Sequence, residues 1–196
     1  MNKIITISRE FGSGGRTIGK NLAEKLGVPC YDGEIIEKVA IESGFAEEYI
    51  KEKGEYTQPS LLMGLLNSRA IYTGPSNEDK IWLIQCRVIK ELAEKGPCVI
   101  VGRCADYILR DRDDVMKVFV YADFEARAKR IVEVYGEMED APAKRLREKD
   151  KRRAAYYQHY TDMNWGAVRN YDVCLDSSFI GIDACVDILE KIALKD

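Results

Sequence analysis

The hydrophobic positions of this chain follow two rhythms: short β-branched runs, and longer stretches repeating every three to four residues. Ile4, Ile5, Thr6 and Ile7 form a compact run of the kind that is buried on both faces of a parallel sheet. Behind it Ile18, Leu22 and Leu26 recur every fourth residue, and Gly27, with Pro29 just beyond, marks the end of a helix. Residues 28–31 predict a second strand. Asp32 then stands where an N-cap belongs, before a helix with Ile35, Ile36, Val39 and Ala40 on its apolar face. Between residues 45 and 75, Gly54, Pro59, Gly64, Gly74 and Pro75 break the pattern into short helical pieces. Regularity returns at Ser76, the predicted cap of a long helix through Ile81, Ile84, Val88, Ile89 and Leu92 that stops at Gly96 and Pro97. Residues 98–101, 115–122 and 173–175 read as three further strands. Asp123 caps a helix over 124–135, and another helix covers 183–194. Strands alternating with helices of this length imply βαβ units, and so a parallel sheet covered on both faces.

A chain of 196 residues, 46% of them hydrophobic, has room for one domain with a substantial core. Its 33 acidic residues outnumber 30 basic ones, which argues against a general nucleic-acid binder. No apolar run approaches the roughly 20 residues of a membrane span. The apolar stretch before Arg9 is too short for a secretory signal, so a cytoplasmic protein is expected. Oligomeric state leaves no mark on the pattern. The six cysteines include no CxxC pair, and the single histidine, His159, has no cysteine within ten residues. Reduced core thiols account for them better than a metal site, with Cys104 the one close to candidate chemistry.

Ligands of doubly wound sheets bind beyond the carboxyl ends of the strands, so the loops there carry the chemistry. After the first strand comes Ser8-Arg9-Glu10-Phe11-Gly12-Ser13-Gly14-Gly15-Arg16-Thr17, leading straight into a helix. Three glycines in four residues permit positive φ and close approach of a ligand, and backbone amides at a helix start attract an anion. A tight turn without a ligand needs fewer glycines and no cation and hydroxyl after them. Laid on GxxxxGK[ST] with Thr17 as the hydroxyl residue, Glu10 stands at the first glycine and Arg16 at the lysine. Gly12, Ser13, Gly14, Gly15, Arg16 and Thr17 are therefore the candidate phosphate cradle, and Thr17 the candidate Mg²⁺ contact.

With this loop the whole chain resembles the cytidylate kinase-like family of P-loop nucleoside monophosphate kinases. The likeness rests on the glycine loop, Tyr31-Asp32, Val101-Gly102-Arg103, the basic stretch 144–153 and residues 171–177. It implies a three-layer αβα fold around five parallel strands, with a helical acceptor-binding insertion at about 45–75 and a helical lid at about 137–160. ATP, with Mg²⁺, is the implied phosphoryl donor, and a nucleotide the implied substrate. Aligned to true cytidylate kinases, Gly15 falls at the loop lysine with Arg16 beside it. Val101 and Cys104 fall at the two aspartates of their Asp-Gly-Arg-Asp motif.

Arg103 follows four apolar strand residues and so emerges at the ligand edge of the sheet, where a guanidinium suits the acceptor phosphate. A surface ion pair with Asp106 is its plainer reading. Asp32 is either a helix cap or a contact to the acceptor, and Arg69, in the insertion, is a further acceptor candidate. Residues 144–153 carry seven cations against two carboxylates, so +5 sits in ten residues and the rest of the chain sums to −8. A closing helix can bring such cations to the transferring phosphoryl group, and Arg147, Lys151 and Arg152, with Arg16 from the loop, are the catalytic candidates. Tyr156 and Tyr160 beside these cations could stack on RNA bases, but at i,i+4 they more simply pack the lid against the body. The leading expectation is phosphoryl transfer from ATP to a nucleoside monophosphate, cytidylate by resemblance. A kinase of another small acceptor, with Asp32 or Asp106 as base, and a nucleotide-binding regulator with little turnover are the alternatives.

Overall fold

A computed structural model of the protein describes residues 4–43, 77–134, 136 and 142–195. Arg69, Ser76 and the whole 45–75 stretch lie outside the described residues. Five strands, β1 (Ile4–Arg9), β2 (Cys30–Tyr31), β3 (Cys98–Val101), β4 (Val115–Tyr121) and β5 (Val173–Asp176), form one sheet in the order β2-β3-β1-β4-β5. Every pairing is parallel. The longer helices are α1 (Gly15–Leu26), α2 (Gly33–Ser43) and α3 (Asn77–Glu94). Three follow in the second half: α4 (Ala105–Ile108), α5 (Phe124–Glu133) and α6 (Pro142–Thr161). Then come α7 (Ser177–Ile180) and α8 (Ile182–Ala193), with one 3₁₀ turn at Val168–Asn170. The expected three-layer architecture is the one found. The short α4, α7 and 3₁₀ turn were not predicted, being too brief to show a helical period.

The sheet alternates its contacts residue by residue. Ile5 and Ile7 of β1 join Val99, Val101, Val118 and Val120 in a cluster with Ile18 and Leu22 of α1 and Leu189 of α8. Ile4 and Ile100 point the other way, into a second cluster with Ile35 of α2 and Val88, Ile89 and Leu92 of α3. Each of these side chains is worth about 1.5–3 kcal/mol of burial, so both helical layers are bound to the sheet. Gly19 lets α1 lie close on it: a Cβ there would sit 2.7 Å from Val101 Cγ2.

α6, the basic helix, buries more than its composition suggests. Leu146 is fully enclosed, and Tyr156 and Tyr157 are buried against Cys104. Trp82 of α3 stacks on Tyr160, with ring centroids 4.4 Å apart, and meets Tyr156 edge-on at 6.2 Å. The rings beside the basic run thus serve packing.

Candidate active site

Because β3 lies beside β1 in the sheet, the loops after these two strands emerge next to each other. Gly12 and Gly14 of the first loop have φ of +80° and +79°, a region L side chains rarely adopt. The amides of Gly14, Gly15 and Arg16 stand at or before the first turn of α1, where no carbonyl lies four residues back in the helix. They are available to an anion at the positive end of the helix dipole. Ser13 closes the turn by donating from its hydroxyl to the Glu10 carbonyl at 2.9 Å, and Ser177 Oγ donates to the Ser13 carbonyl at 2.5 Å.

After β3, three successive residues adopt left-handed backbone: Gly102 (φ 81°), Arg103 (φ 57°) and Cys104 (φ 53°). For the two that are not glycine this costs on the order of 1–3 kcal/mol each. Surrounding hydrogen bonds hold the turn: Gly102 N–H donates to the Ile7 carbonyl at 3.0 Å, and Gln85 Nε2 to the Arg103 carbonyl at 3.1 Å. The strained turn sinks Arg103 to 6% exposure, so it is no surface residue. Its Nη1 is buried with no hydrogen-bond partner among the described residues. Asp106, the partner suggested by the plainer reading, instead accepts a 2.7 Å hydrogen bond from the Tyr157 hydroxyl. Burial pushes the Asp106 carboxyl above its ordinary range, while that hydroxyl and nearby backbone amides partly offset the shift.

A tight cavity of about 20 Å³, room for about one water, joins the two loops, and Arg9, Arg103 and Arg153 all line it, with Tyr156 and Trp165 among its walls. A second opening of about 120 Å³ lies on the β5 side of the glycine loop, lined by Gly12, Ser13, Arg130, Ser177 and Ile182. Arg130 Nη2 donates to Thr17 Oγ1 at 3.3 Å, and its Nε is buried with no hydrogen-bond partner among the described residues. An orphaned guanidinium nitrogen therefore stands on each side of the loop. Leaving such a donor unmade costs about 1–3 kcal/mol, and an oxyanion would satisfy it.

The other predicted cations are placed differently. Arg16 Nε lies 2.6 Å from Asp32 Oδ2, which ties both residues together beyond β2. Arg147 stacks on the Phe124 ring at 5.0 Å, Lys151 is exposed, and Arg152 is partly buried. Of the α6 residues, Lys149, Asp150 and Arg153 reach the glycine loop, Lys149 lying over the Phe11 ring at 5.9 Å. Asp150 accepts from Phe11 N–H at 2.7 Å and from Arg127 Nη1 at 2.5 Å, while Arg153 Nη1 donates to the Arg9 carbonyl at 2.9 Å. Arg127 also reaches Glu10 at 3.3 Å, and burial raises the Glu10 carboxyl despite that cation. Sequence reasoning missed Arg9, Arg127, Arg130 and Arg153. The spacing of Arg127 and Arg130, three apart on a helix opening at a strand end, was the one available signal for the α5 pair. All six cysteines are free thiols, Cys98, Cys104 and Cys185 buried and the other three partly so, and burial pushes Cys30, Cys86 and Cys98 up to about 11.

A sequence model of the cytidylate kinase-like family matches residues 4–179. The chain is 29% identical over 192 residues to a cytidylate kinase of Archaeoglobus fulgidus, covering 95% of this chain and 92% of that one. It is 26% identical to the cytidylate kinase of Methanopyrus kandleri, covering 95% and 91%. Among solved structures, an uncharacterized protein from Eubacterium ventriosum superposes with a TM-score of 0.75 at 28% identity, over 99% of both chains. A shikimate kinase from Bacteroides thetaiotaomicron shares the fold with a TM-score of 0.57 at 16% identity, over 98% of both. No helix among the described residues is long and apolar enough to cross a membrane.

Proposed function

The chain belongs to the cytidylate kinase-like family, and from that premise we propose that it transfers the terminal phosphoryl group of ATP to a nucleoside monophosphate, cytidylate foremost. The donor phosphates rest on the amides of Gly12 to Thr17, with the nucleoside directed to the opening beside Arg130 and Ser177. The acceptor phosphate enters the three-arginine pocket. One observation carries this assignment: the buried Arg103 guanidinium, held on a strained turn, presents an unsatisfied Nη1 where the loops of β1 and β3 meet. Cytidylate as the acceptor is supported by the family and by the names of its curated relatives.

The residues suit Mg²⁺ brought by the donor, not a metal cage of the protein's own. No cluster of three His, Cys, Asp or Glu that could hold a metal occurs among the described residues. The carboxylates nearby are engaged: Asp32 by Arg16, Glu10 and Asp150 by Arg127, and Asp106 by Tyr157. Thr17 Oγ1 is the hydroxyl that would hold the ion, whose chemistry is to neutralise charge on the phosphates it accompanies.

In the transfer, an acceptor phosphate oxygen forms a bond to the γ-phosphorus while the bond to the β,γ-bridging oxygen breaks, leaving the negative charge on ADP. No proton has to move, because the nucleophile is already anionic. A hydroxyl acceptor would need a base, and the two carboxylates considered for that role, Asp32 and Asp106, are held by Arg16 and Tyr157. The phosphate-bearing acceptor is therefore the better fit.

The test is ADP release with ATP and Mg²⁺ against CMP, dCMP, UMP, AMP and GMP. CMP is expected to lead in kcat/KM by about tenfold or more over the purine monophosphates, within the range pocket contacts supply. Arg103→Ala should lower kcat/KM by about 10²-fold, the usual cost of a lost charge-assisted contact. Transfer to none of these acceptors would refute the proposal.

A further inference from the structure

P-loop sites supply a cation from the residue after the last loop glycine, reaching the β- and γ-phosphates. Here the loop cation is turned aside. Gly15 has no side chain, and Arg16 is turned onto Asp32 at 2.6 Å with more than half its side chain exposed.

Another cation crosses the same ground from the opposite direction. Arg9 ends β1, paired in register with Val120 of β4, and its carbonyl accepts from Arg153 Nη1 at 2.9 Å. Both neighbours fix the point from which the side chain starts. A Cβ on Gly15 would lie 2.5 Å from Arg9 Cβ and 3.0 Å from Cγ, so the aliphatic stem runs across Gly15. A Cβ on Gly102 would lie 2.0 Å from Arg9 Nη1 and 2.9 Å from Cζ, so the guanidinium lies over Gly102. Two glycines from separate loops thus leave room for one side chain.

Gly102 also needs its positive φ, but Gly15 does not: it is the first residue of α1 and has no positive φ. Glycine inside a helix costs about 0.5–1 kcal/mol relative to alanine, so Gly15 is there for space and not for backbone freedom. The guanidinium that fills this space faces the same pocket as Arg103 and Arg153. Three guanidinium groups converge on that pocket, and a phosphoryl group placed between them would be attracted by all three.

We propose that Arg9 is the phosphate-gripping cation of this site, taking the place of the loop lysine by reaching over Gly15 from the end of β1. The proposal deepens the phosphoryl-transfer reading and rests on it. Arg9 bridges the donor loop and Arg103, and donates two parallel hydrogen bonds to equatorial oxygens of the γ-phosphoryl as it passes from ADP to the acceptor oxygen. Arginine suits this task at long reach, since its planar fork keeps its geometry where a lysine ammonium would be a single point charge.

The variants are Arg9→Met, which keeps the stem over Gly15 and removes the charge, Gly15→Lys, and the double variant R9A/G15K. Each is checked for folding by its melting temperature, then measured for ATP affinity by calorimetry and for ADP release with CMP. Arg9→Met should melt like the wild type, bind ATP about tenfold more weakly, and lose about 10²–10³-fold in kcat. R9A/G15K returns a cation to the loop and should regain at least about tenfold of that kcat, whereas Gly15→Lys alone collides with Arg9 and should be impaired. A residue that only supported the fold would not be rescued by a charge at another position. If the wild type transfers to no monophosphate yet Arg9→Met still weakens ATP binding and R9A/G15K restores it, the kinase reading falls and the phosphate contact stands. If Arg9→Met, or Arg9→Ala should the first fail to fold, binds ATP and turns over within threefold of wild type, the proposal is overturned.

Discussion

Asp150→Ala should loosen the basic helix from the glycine loop, at a cost that can be worked from the contacts. Asp150 is 18% exposed and Arg127 is 8% exposed, so their 2.5 Å pair is largely shielded from water. Removing one partner of a buried pair costs about 3–5 kcal/mol, because the other charge is left behind. Arg127 keeps weaker acceptors, Glu10 Oε2 at 3.3 Å and the carbonyls of Phe11 and Ala122 at 3.2 and 3.1 Å, which lower the loss. Phe11 N–H, which donates to Asp150 Oδ1 at 2.7 Å, loses that acceptor and adds about 1 kcal/mol. The net expectation is about 3 kcal/mol, or a fall of about 6–12 °C in Tm for a chain of this size. Calorimetric melting reads it directly. Lys144→Ala, on the same helix but 76% exposed and only 4.0 Å from Glu148, serves as the control and should shift Tm by less than about 2 °C. A fall of under 2 °C in Asp150→Ala would show that the clamp holds nothing together.

Three further outcomes are expected. Burial raises the Asp106 carboxyl above 3.8, so its contribution to stability is complete below about pH 4 and is lost as pH rises through the folded-state value. Asp106→Asn has no such loss, and its Tm relative to wild type should climb from pH 4 upward; a constant difference across pH would refute the assignment. Gly19→Ala should destabilise by about 1–2 kcal/mol in denaturant titration despite alanine's better helix propensity, since its Cβ meets Val101 at 2.7 Å; a gain in stability would mean that α1 can move off the sheet. Trp82→Ala should cost about 3 kcal/mol by the same titration, from the lost stack on Tyr160 and the lost burial, and a cost under 1 kcal/mol would remove the aromatic patch as the anchor of α6.

How the chain divides into strands and helices was readable because its apolar spacing is strong. The helix ended by Gly27, the run Cys98–Val101 and the long helix before Gly96 all appear where the pattern puts them. The glycine loop was equally legible, since Gly12 and Gly14 do adopt the left-handed backbone that dense glycine suggests. Arg103 was found by its position after a buried strand, although its depth was not, because burial depends on what α3 and α6 lay over it.

Which cations line the pocket between the loops was decided only by tertiary structure. In a sequence Arg16, Arg147 and Lys151 look as well placed as Arg9, Arg130 and Arg153. The sheet order sets β3 beside β1, so Arg9 can lie over Gly102, more than ninety residues away along the chain. The same packing leaves Arg16 to Asp32 and Arg147 to Phe124. Local periodicity fixes what each segment becomes, because it records which side of the segment is dry. Where a long, flexible, charged side chain ends up depends on its neighbours from distant segments, and no local pattern records those.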